Sequence, residues 1–177
     1  CAGILAHHRG LPVEHFIAAC NVNDVVPEYL RTEILQPKET VATISNAMDV
    51  GDPSNFVRIL ELFDKEFNQV KNKLSGYTID DGETLKTIER VEKDYGYVLD
   101  PHGAVAFVAL EKYLAENGGK GFFLETAHPV KFPDSVEKAT GKSVEIPKSL
   151  EELMRQEKFT TEINPQYEEL KGFLLGK

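Results

Sequence analysis

A short apolar run, Phe16–Cys20, narrows the choice of fold more than any other part of the sequence. Polar residues bound the run on both sides, and it lacks the alternation of a half-buried strand. It therefore predicts a strand buried on both faces, the kind found in parallel sheets. Gly121–Leu124 predicts a second buried strand. Strands that alternate with helices indicate a parallel α/β architecture.

Cap residues mark two long helices. Asp80 and Glu83 are spaced like a capping box, and an apolar stripe follows as far as Gly96. Asp100-Pro101 supplies a cap and a proline at the first position of a helix that is apolar on nearly all sides from Ala104 to Leu114. We expect this second helix to lie deep in the core.

Shorter helices are predicted around these two. Their expected spans are 1–10, 24–30, a helix from residue 56 and 133–141. Two amphipathic helices are predicted near the C-terminus, at 150–156 and 166–174. We expect an α/β domain over residues 1–147 and a helical extension over residues 148–177.

The first residues, Cys-Ala-Gly, contain no initiator methionine, since the methionines are Met48 and Met154. No cap precedes the first predicted helix either. These two observations predict that the sequence starts inside an element of a longer protein. No signal peptide is recognisable.

Charge and composition exclude several functions. The formal charge of −9 would repel a nucleic acid duplex or an anionic membrane, and no apolar run approaches the 18 residues of a membrane span. The five histidines and two cysteines lack metal-site spacing, so we expect no metal. The apolar neighbours of Cys20 predict a raised pKa and an inert thiol. A cytoplasmic protein fits best.

Polar residues follow both predicted strands, at 20–24 and 125–129. Ligands of open parallel sheets bind beyond such strand ends. The asparagines there have an equally good explanation in turn and cap chemistry. His102, in the first turn of a helix, favours an anion, although a partly buried histidine bonded to a carbonyl explains the pattern as well. These patterns alone predict a pocket for a small anionic molecule.

Three longer segments resemble motifs of the threonine synthase family. They read SNAMDVGDPSNF from Ser45, DPHGAV from Asp100 and LETAHPVKFP from Leu124. The segment FIAACNVND from Phe16 is similar to that family as well, and the order and spacing agree over residues 1–147.

The resemblance implies a three-layer, parallel-sheet domain of the tryptophan-synthase-β type, here incomplete. It also implies an enzyme that converts O-phosphohomoserine and water to threonine and phosphate with pyridoxal phosphate. The family's cofactor lysine and phosphate loop precede the segments matched here. We therefore expect a C-terminal portion that needs an N-terminal part of the same protein, carries no catalytic residue and is inactive alone.

Site residues follow from the matched motifs. Thr126 corresponds to the hydroxyl that bonds the cofactor's pyridine nitrogen. Other matched positions are expected to line the substrate pocket: Ser45, Asn46, Asp49, Asn55, Arg58, His102 and His128. A surface ion pair explains Arg58 equally well. Lys131 belongs to a different motif from the cofactor lysine. Two alternatives stay open, a related phosphohomoserine phospholyase and a noncatalytic amino-acid-binding domain.

Overall fold

The computed structural model describes residues 1–176, in two compact units, the first Cys1–Val144 and the second from Glu145 onward. The first unit contains, in chain order, α1 (Ala2–His8), β1 (Phe16–Cys20), α2 (Val25–Thr32), α3 (Phe56–Leu62), α4 (Phe67–Lys73), β2 (Leu74–Thr78), α5 (Asp81–Tyr95), α6 (Pro101–Asn117) and α7 (Pro133–Thr140). The second unit contains α8 (Lys148–Met154) and α9 (Tyr167–Leu174). Short 3₁₀ turns lie at Asn46–Met48 and Pro129–Lys131.

The two strands form a parallel pair, which confirms the predicted parallel α/β class. Phe16 of β1 lies opposite Leu74 of β2, and Cys20 lies opposite Thr78. The Ile79 amide donates to the Cys20 carbonyl oxygen at 2.9 Å just beyond the strands, so the ladder continues into the loop before α5. The carboxyl ends of both strands therefore lie side by side.

Helices α5 and α6 begin and end where their caps predict. The Asp80 side chain accepts a hydrogen bond from the Glu83 amide at 2.7 Å, and Gly96 ends α5 with a left-handed φ of 65°. Helix α6 packs against α5 and β1. Ala104, Val105 and other residues of its first half are fully buried, which confirms its predicted place in the core.

The predicted buried strand at Gly121–Leu124 is wrong. No strand is assigned there, and the Phe122 and Leu124 side chains are 72% and 69% exposed. Phe123, between them, turns inward against Phe107 of α6, with ring centroids 5.5 Å apart. The segment therefore buries one face only, and no strand among residues 1–176 pairs with its backbone.

Strand β2 and helix α4 were not predicted. The β2 sequence, Leu-Ser-Gly-Tyr-Thr, contains no apolar run, and its strand conformation depends on pairing with β1. No helix in residues 1–176 combines the length and apolar character that crossing a membrane demands.

Candidate functional site

The N-terminus of α6 holds a buried aspartate–histidine pair. Asp100 is fully buried, and its Oδ1 accepts from the His102 backbone amide at 2.9 Å and lies 2.6 Å from His102 Nδ1. Its Oδ2 accepts from the Gly103 amide at 3.3 Å. Because a carboxylate accepts hydrogen bonds, Nδ1 carries the hydrogen, and Nε2 is left as the unprotonated nitrogen when the ring is neutral.

Hydrogen bonds lower the pKa of Asp100. Burial acts to raise this pKa, but hydrogen bonds outweigh burial, foremost the one from the His102 side chain, and hold the value at about 2. Asp100 is therefore ionised at neutral pH. Nε2 of His102 is buried and has no hydrogen-bond partner among the described residues, so the pair presents one unused polar atom.

Glu125 approaches this pair from the segment after α6. Its Oε1 accepts from the Asp100 amide at 3.4 Å, and its Oε2 is buried without a hydrogen-bond partner among the described residues. Gly103 makes the approach possible, since a Cβ at that position would lie 2.3 Å from Oε2. Burial, and next the neighbouring Asp100, raise the pKa of Glu125 to about 8.

Thr126 and His128 belong to a segment that contacts α6 on both sides of them, through Glu125 before and Phe132 after. Glu125 meets the start of the helix, and the Phe132 ring lies 4.8 Å from the His102 ring, centroid to centroid. Thr126 is exposed, and its hydroxyl makes no hydrogen bond to any residue from 1 to 176. His128 is exposed as well, and its Nδ1 accepts from the Val130 amide at 3.1 Å, which caps the turn Pro129–Lys131.

A second polar cluster lies beyond the carboxyl end of β1. The Asn21 side-chain amide donates to Thr43 Oγ1 at 2.9 Å, Ser45 Oγ at 3.1 Å and Asp49 Oδ1 at 2.8 Å. Asn23 donates to Asp49 Oδ1 at 3.1 Å and accepts from the Val41 amide at 2.8 Å. These bonds attach the loop 41–49 to the strand end.

Asp49 is the central acceptor of this cluster. Besides the two asparagines, the Thr43 hydroxyl donates to its Oδ1 at 2.7 Å and the Thr43 amide donates to its Oδ2 at 2.9 Å. Ser45 is fully buried. Both residues were predicted to contact substrate, and the structure places their side chains in bonds that hold the loop. The neighbouring Asn46 is exposed.

Asn55 and Arg58 form no side-chain hydrogen bond or ion pair with either cluster among the described residues. Asn55 is the residue before α3 and makes no side-chain cap, and Arg58 is exposed on the first turn of that helix. Arg58 forms no ion pair with the described residues, so the structure gives no support to the surface-pair explanation. We call Asp100, His102 and Glu125 the α6 cluster, and the bonded residues beyond β1 the β1 cluster: Asn21, Asn23, Thr43, Ser45 and Asp49. No hydrogen bond or ion pair in residues 1–176 joins the two clusters.

Sequence reasoning placed Asn21, Asn23 and Glu125 in polar segments at strand ends and Asp100 at a helix cap, but it named none of the four as a site residue. Asp100 was recognised as a cap, and its position two residues before His102 was the available signal for the pair. Glu125 lies 25 positions from Asp100, so no local pattern connects them. Within residues 1–176, no three His, Cys, Asp or Glu side chains are grouped as metal ligands.

Cys20, at the end of β1, has the inert character that its neighbours predict. Burial, and next the charge of Asp24, raise the pKa of its thiol to about 12. A thiol with this pKa is almost entirely protonated at neutral pH and is a poor nucleophile. Cys20 therefore takes no part in the candidate site.

Comparison with known proteins finds relatives of this chain. Residues 103–174 match the family model described as "Threonine synthase, C-terminal". The threonine synthase of Escherichia coli strain K12 is 48% identical over 151 residues, which cover 85% of this chain and 35% of that protein. The chain is similar to the C-terminal part of threonine synthases.

Solved structures agree with the sequence comparison. The crystal structure of threonine synthase from Escherichia coli superposes with a TM-score of 0.87 at 42% identity, over 99% of this chain and 40% of that one. The threonine synthase from Brucella melitensis, solved with bound pyridoxal phosphate, superposes with a TM-score of 0.80 at 28% identity, over 98% of this chain and 42% of that one. The chain thus spans about two fifths of the length of these threonine synthases.

Proposed function

We propose that this chain supplies part of a threonine synthase that converts O-phosphohomoserine and water to threonine and phosphate. In this reaction the bond from the terminal carbon to the phosphate oxygen breaks, and the hydroxyl group of water adds to the adjacent carbon. The observation that carries the proposal is the similarity of 99% of the chain to a solved threonine synthase at a TM-score of 0.87. Both cysteines, Cys1 and Cys20, are free thiols, which supports a cytoplasmic location.

Pyridoxal phosphate is the cofactor of the proposal, because the Brucella melitensis relative was solved with it. When bound, it supplies an electron sink for the negative charge that develops on substrate carbons. Thr126 fits one end of this group, since its hydroxyl is exposed and makes no hydrogen bond to residues 1–176. A neutral hydroxyl at the pyridine nitrogen would leave that nitrogen less protonated than a carboxylate would.

Other residues of this chain would shape the substrate side. The bonded loop 41–49 gives that side a fixed backbone, and Asn46 is an exposed polar side chain on it. His102 presents its buried Nε2 from α6. Asn55, Arg58 and His128 stay candidates for polar contacts with the phosphate-bearing substrate. The proposal assigns the cofactor lysine and the phosphate loop to a preceding part of the same protein.

The role of Thr126 predicts a specific pattern of activity. In the intact protein that carries this sequence, Thr126→Ala should lower kcat for threonine formation by about tenfold to a hundredfold, since it removes one hydrogen bond to a reacting group, about 1.5–3 kcal/mol. Thr126→Ser should restore most of the rate, because it keeps the hydroxyl. Threonine and phosphate are measured together, with the exposed Thr160→Ala as the control.

Product analysis separates the alternatives. Threonine and phosphate in equal amounts support the synthase. Oxobutyrate as the sole organic product would instead identify a phospholyase. Tight binding of O-phosphohomoserine by this chain without cofactor, and no turnover by the intact protein, would identify a noncatalytic binding domain. Equal rates for Thr126→Ala and the unsubstituted protein would remove Thr126 from the site.

A further inference from the structure

Two carboxyl groups meet in a buried place at the start of α6. Asp100 is fully buried and already accepts hydrogen bonds from the His102 ring, the His102 amide and the Gly103 amide. The Glu125 carboxyl lies against the same turn, with Oε1 on the Asp100 amide and Oε2 buried. Two ionised carboxylates in such a site repel each other, which favours a proton on one of them.

The hydrogen bonds decide which carboxyl keeps the proton. Asp100 accepts from the three donors named above, and these bonds stabilise its ionised form. Glu125 accepts one long bond through Oε1 and none through Oε2. A neutral Glu125 removes this deficit, because its O–H becomes a donor and the adjacent Asp100 carboxylate is the acceptor.

We propose that Glu125 is a positioning residue that, as a neutral carboxylic acid, donates a hydrogen bond to Asp100 and thereby attaches the segment 125–129 to the N-terminus of α6. Its role in placing Thr126, the next residue, rests on the proposed function. The attachment itself does not, since it involves only residues of this chain. Gly103 is part of the arrangement, because any side chain there would overlap the Glu125 carboxyl.

The charged and titratable groups around Glu125 agree with this assignment. Asp100 and His102 face it from α6, and the Tyr97 phenol contributes from the loop before that helix. Burial is the main cause that raises the pKa of Tyr97, so its phenol adds no charge beside Glu125 at neutral pH. The pKa of Glu125 itself, raised to about 8 by burial and by Asp100, lies well above the 4.5 of a free glutamate.

The proton makes stability depend on pH in a defined direction. Between about pH 4.5 and pH 8 the folded chain holds a proton on Glu125 that the unfolded chain has released. The attachment therefore contributes fully to stability below pH 4.5, and this contribution is lost as the pH rises from 4.5 through about 8. One such proton raises the unfolding equilibrium constant by up to tenfold per pH unit within this window.

The test compares Glu125→Gln, Glu125→Ala and the unsubstituted 177-residue chain in urea unfolding from pH 5 to pH 8.5. Gln keeps a neutral donor at every pH. The unfolding equilibrium constant of E125Q should therefore not rise tenfold per pH unit, and E125Q should be at least as stable as the unsubstituted chain at pH 8. E125A should be less stable than E125Q throughout. The control is Glu89→Gln, since Glu89 is exposed on α5 and should retain the full slope.

Two results would overturn the proposal. One is a pH slope in E125Q equal to that of the unsubstituted chain. The other is equal stability of E125Q and E125A. If a variant does not fold, carbon-13 NMR of the unsubstituted chain labelled at glutamate carboxyls decides instead. One carboxyl titrating near pH 8 supports the proposal, and all carboxyls titrating below pH 6 would overturn it.

Gly103→Ala provides a second, independent variant. Alanine normally stabilises a helix relative to glycine, but here its Cβ would displace the Glu125 carboxyl. We expect G103A to weaken folding in the unsubstituted chain and to strengthen it in an E125A background. If G103A changes the stability in the same direction in both backgrounds, the contact between residue 103 and Glu125 is contradicted. If the stability of E125Q depends on pH as in the unsubstituted chain, while Thr126→Ala still lowers kcat in the intact protein, this inference fails and the proposed function stands.

Discussion

Polar residues expected to meet a substrate differ in whether their hydrogen bonds are already made. The side-chain oxygens of Asp49 and Ser45 already accept hydrogen bonds within the cluster at the end of β1. Thr126 and Asn46, in contrast, are exposed. The motif that resembles the family therefore combines residues that build a loop with residues that are available to a ligand, and sequence alone does not separate the two kinds.

Asp49 should be important for stability. Replacing it with Ala leaves the donors of Asn21, Asn23 and Thr43 without their shared acceptor, so we expect Asp49→Ala to lower the free energy of unfolding by about 2–4 kcal/mol. Urea unfolding measures this loss. Asp52→Ala is the matched control, because Asp52 is exposed in the same connection between α2 and α3 and should change stability by less than about 0.5 kcal/mol.

A result of equal stability in the two aspartate variants would mean that the loop holds its place without the cluster. The binding side of the proposal would then lose its fixed backbone. A large loss for Asp49→Ala together with a partial loss for Asp49→Asn would agree with the observed bonds, since an asparagine oxygen can still accept from the same donors but carries no charge.

Among the elements, helices with local signals were predicted well. The caps Asp80 and Asp100 lie within three residues of the amides they bind, so short sequence patterns contain all the information. Strand β2 was missed and Gly121–Leu124 was wrongly assigned for one shared reason. Whether a segment is a strand depends on a partner strand, and such a partner is distant in sequence.

The α6 cluster illustrates the same limit within the site. His102 and Thr126 could be named because each lies in a short motif. The carboxyl pair of Asp100 and Glu125 could not, since folding brings the two together from 25 positions apart. Its chemistry depends on burial, which depends in turn on the packing of the whole helix.

The two aspartates that precede α2 and α5 should behave differently. Asp80 caps α5 through the Glu83 amide, so Asp80→Ala should cost about 1 kcal/mol in unfolding free energy, and Asp80→Ser should recover most of it. Asp24 makes no cap for α2 and bonds instead to Lys38 and Thr78 at 2.6 and 3.0 Å.

Asp24→Ser is the control for that experiment. It keeps a capping residue type but breaks the bonds to Lys38 and Thr78, so it should lower stability, whereas Asp80→Ser should be nearly neutral. Thermal unfolding of the variants at one pH measures both. Equal effects of serine at the two positions would contradict the distinction drawn from their hydrogen bonds.

On the scale of the whole molecule, some contacts join residues that are close in sequence and others join residues that are distant in sequence. Only residues 96–100 separate α5 from α6, which pack on each other. The sheet, by contrast, pairs Phe16 with Leu74, and His15, just before β1, hydrogen-bonds through its side chain to Ser75 at 2.8 Å across 60 positions. Closing a loop of this length costs entropy before any pairing is gained.

The order of protection during refolding should follow this difference. We expect pulsed hydrogen exchange to find the amides of α5 and α6 protected before those of β1 and β2, because the helical pair needs no long loop closure. Mass spectrometry of peptic peptides from the two regions measures the order. Simultaneous protection of helices and strands would show that the first unit folds as one step.

The long separation between the paired strands also matters while the chain is being made. Strand β1 leaves the ribosome first, and its partner follows only after the intervening 53 residues, Asn21–Lys73, have been added. At about 5–20 residues per second, the interval is roughly 3–11 seconds. During this interval the backbone edge of the apolar strand β1 has not yet paired with β2. Translation speed in this stretch therefore sets how long the nascent chain is open to aggregation.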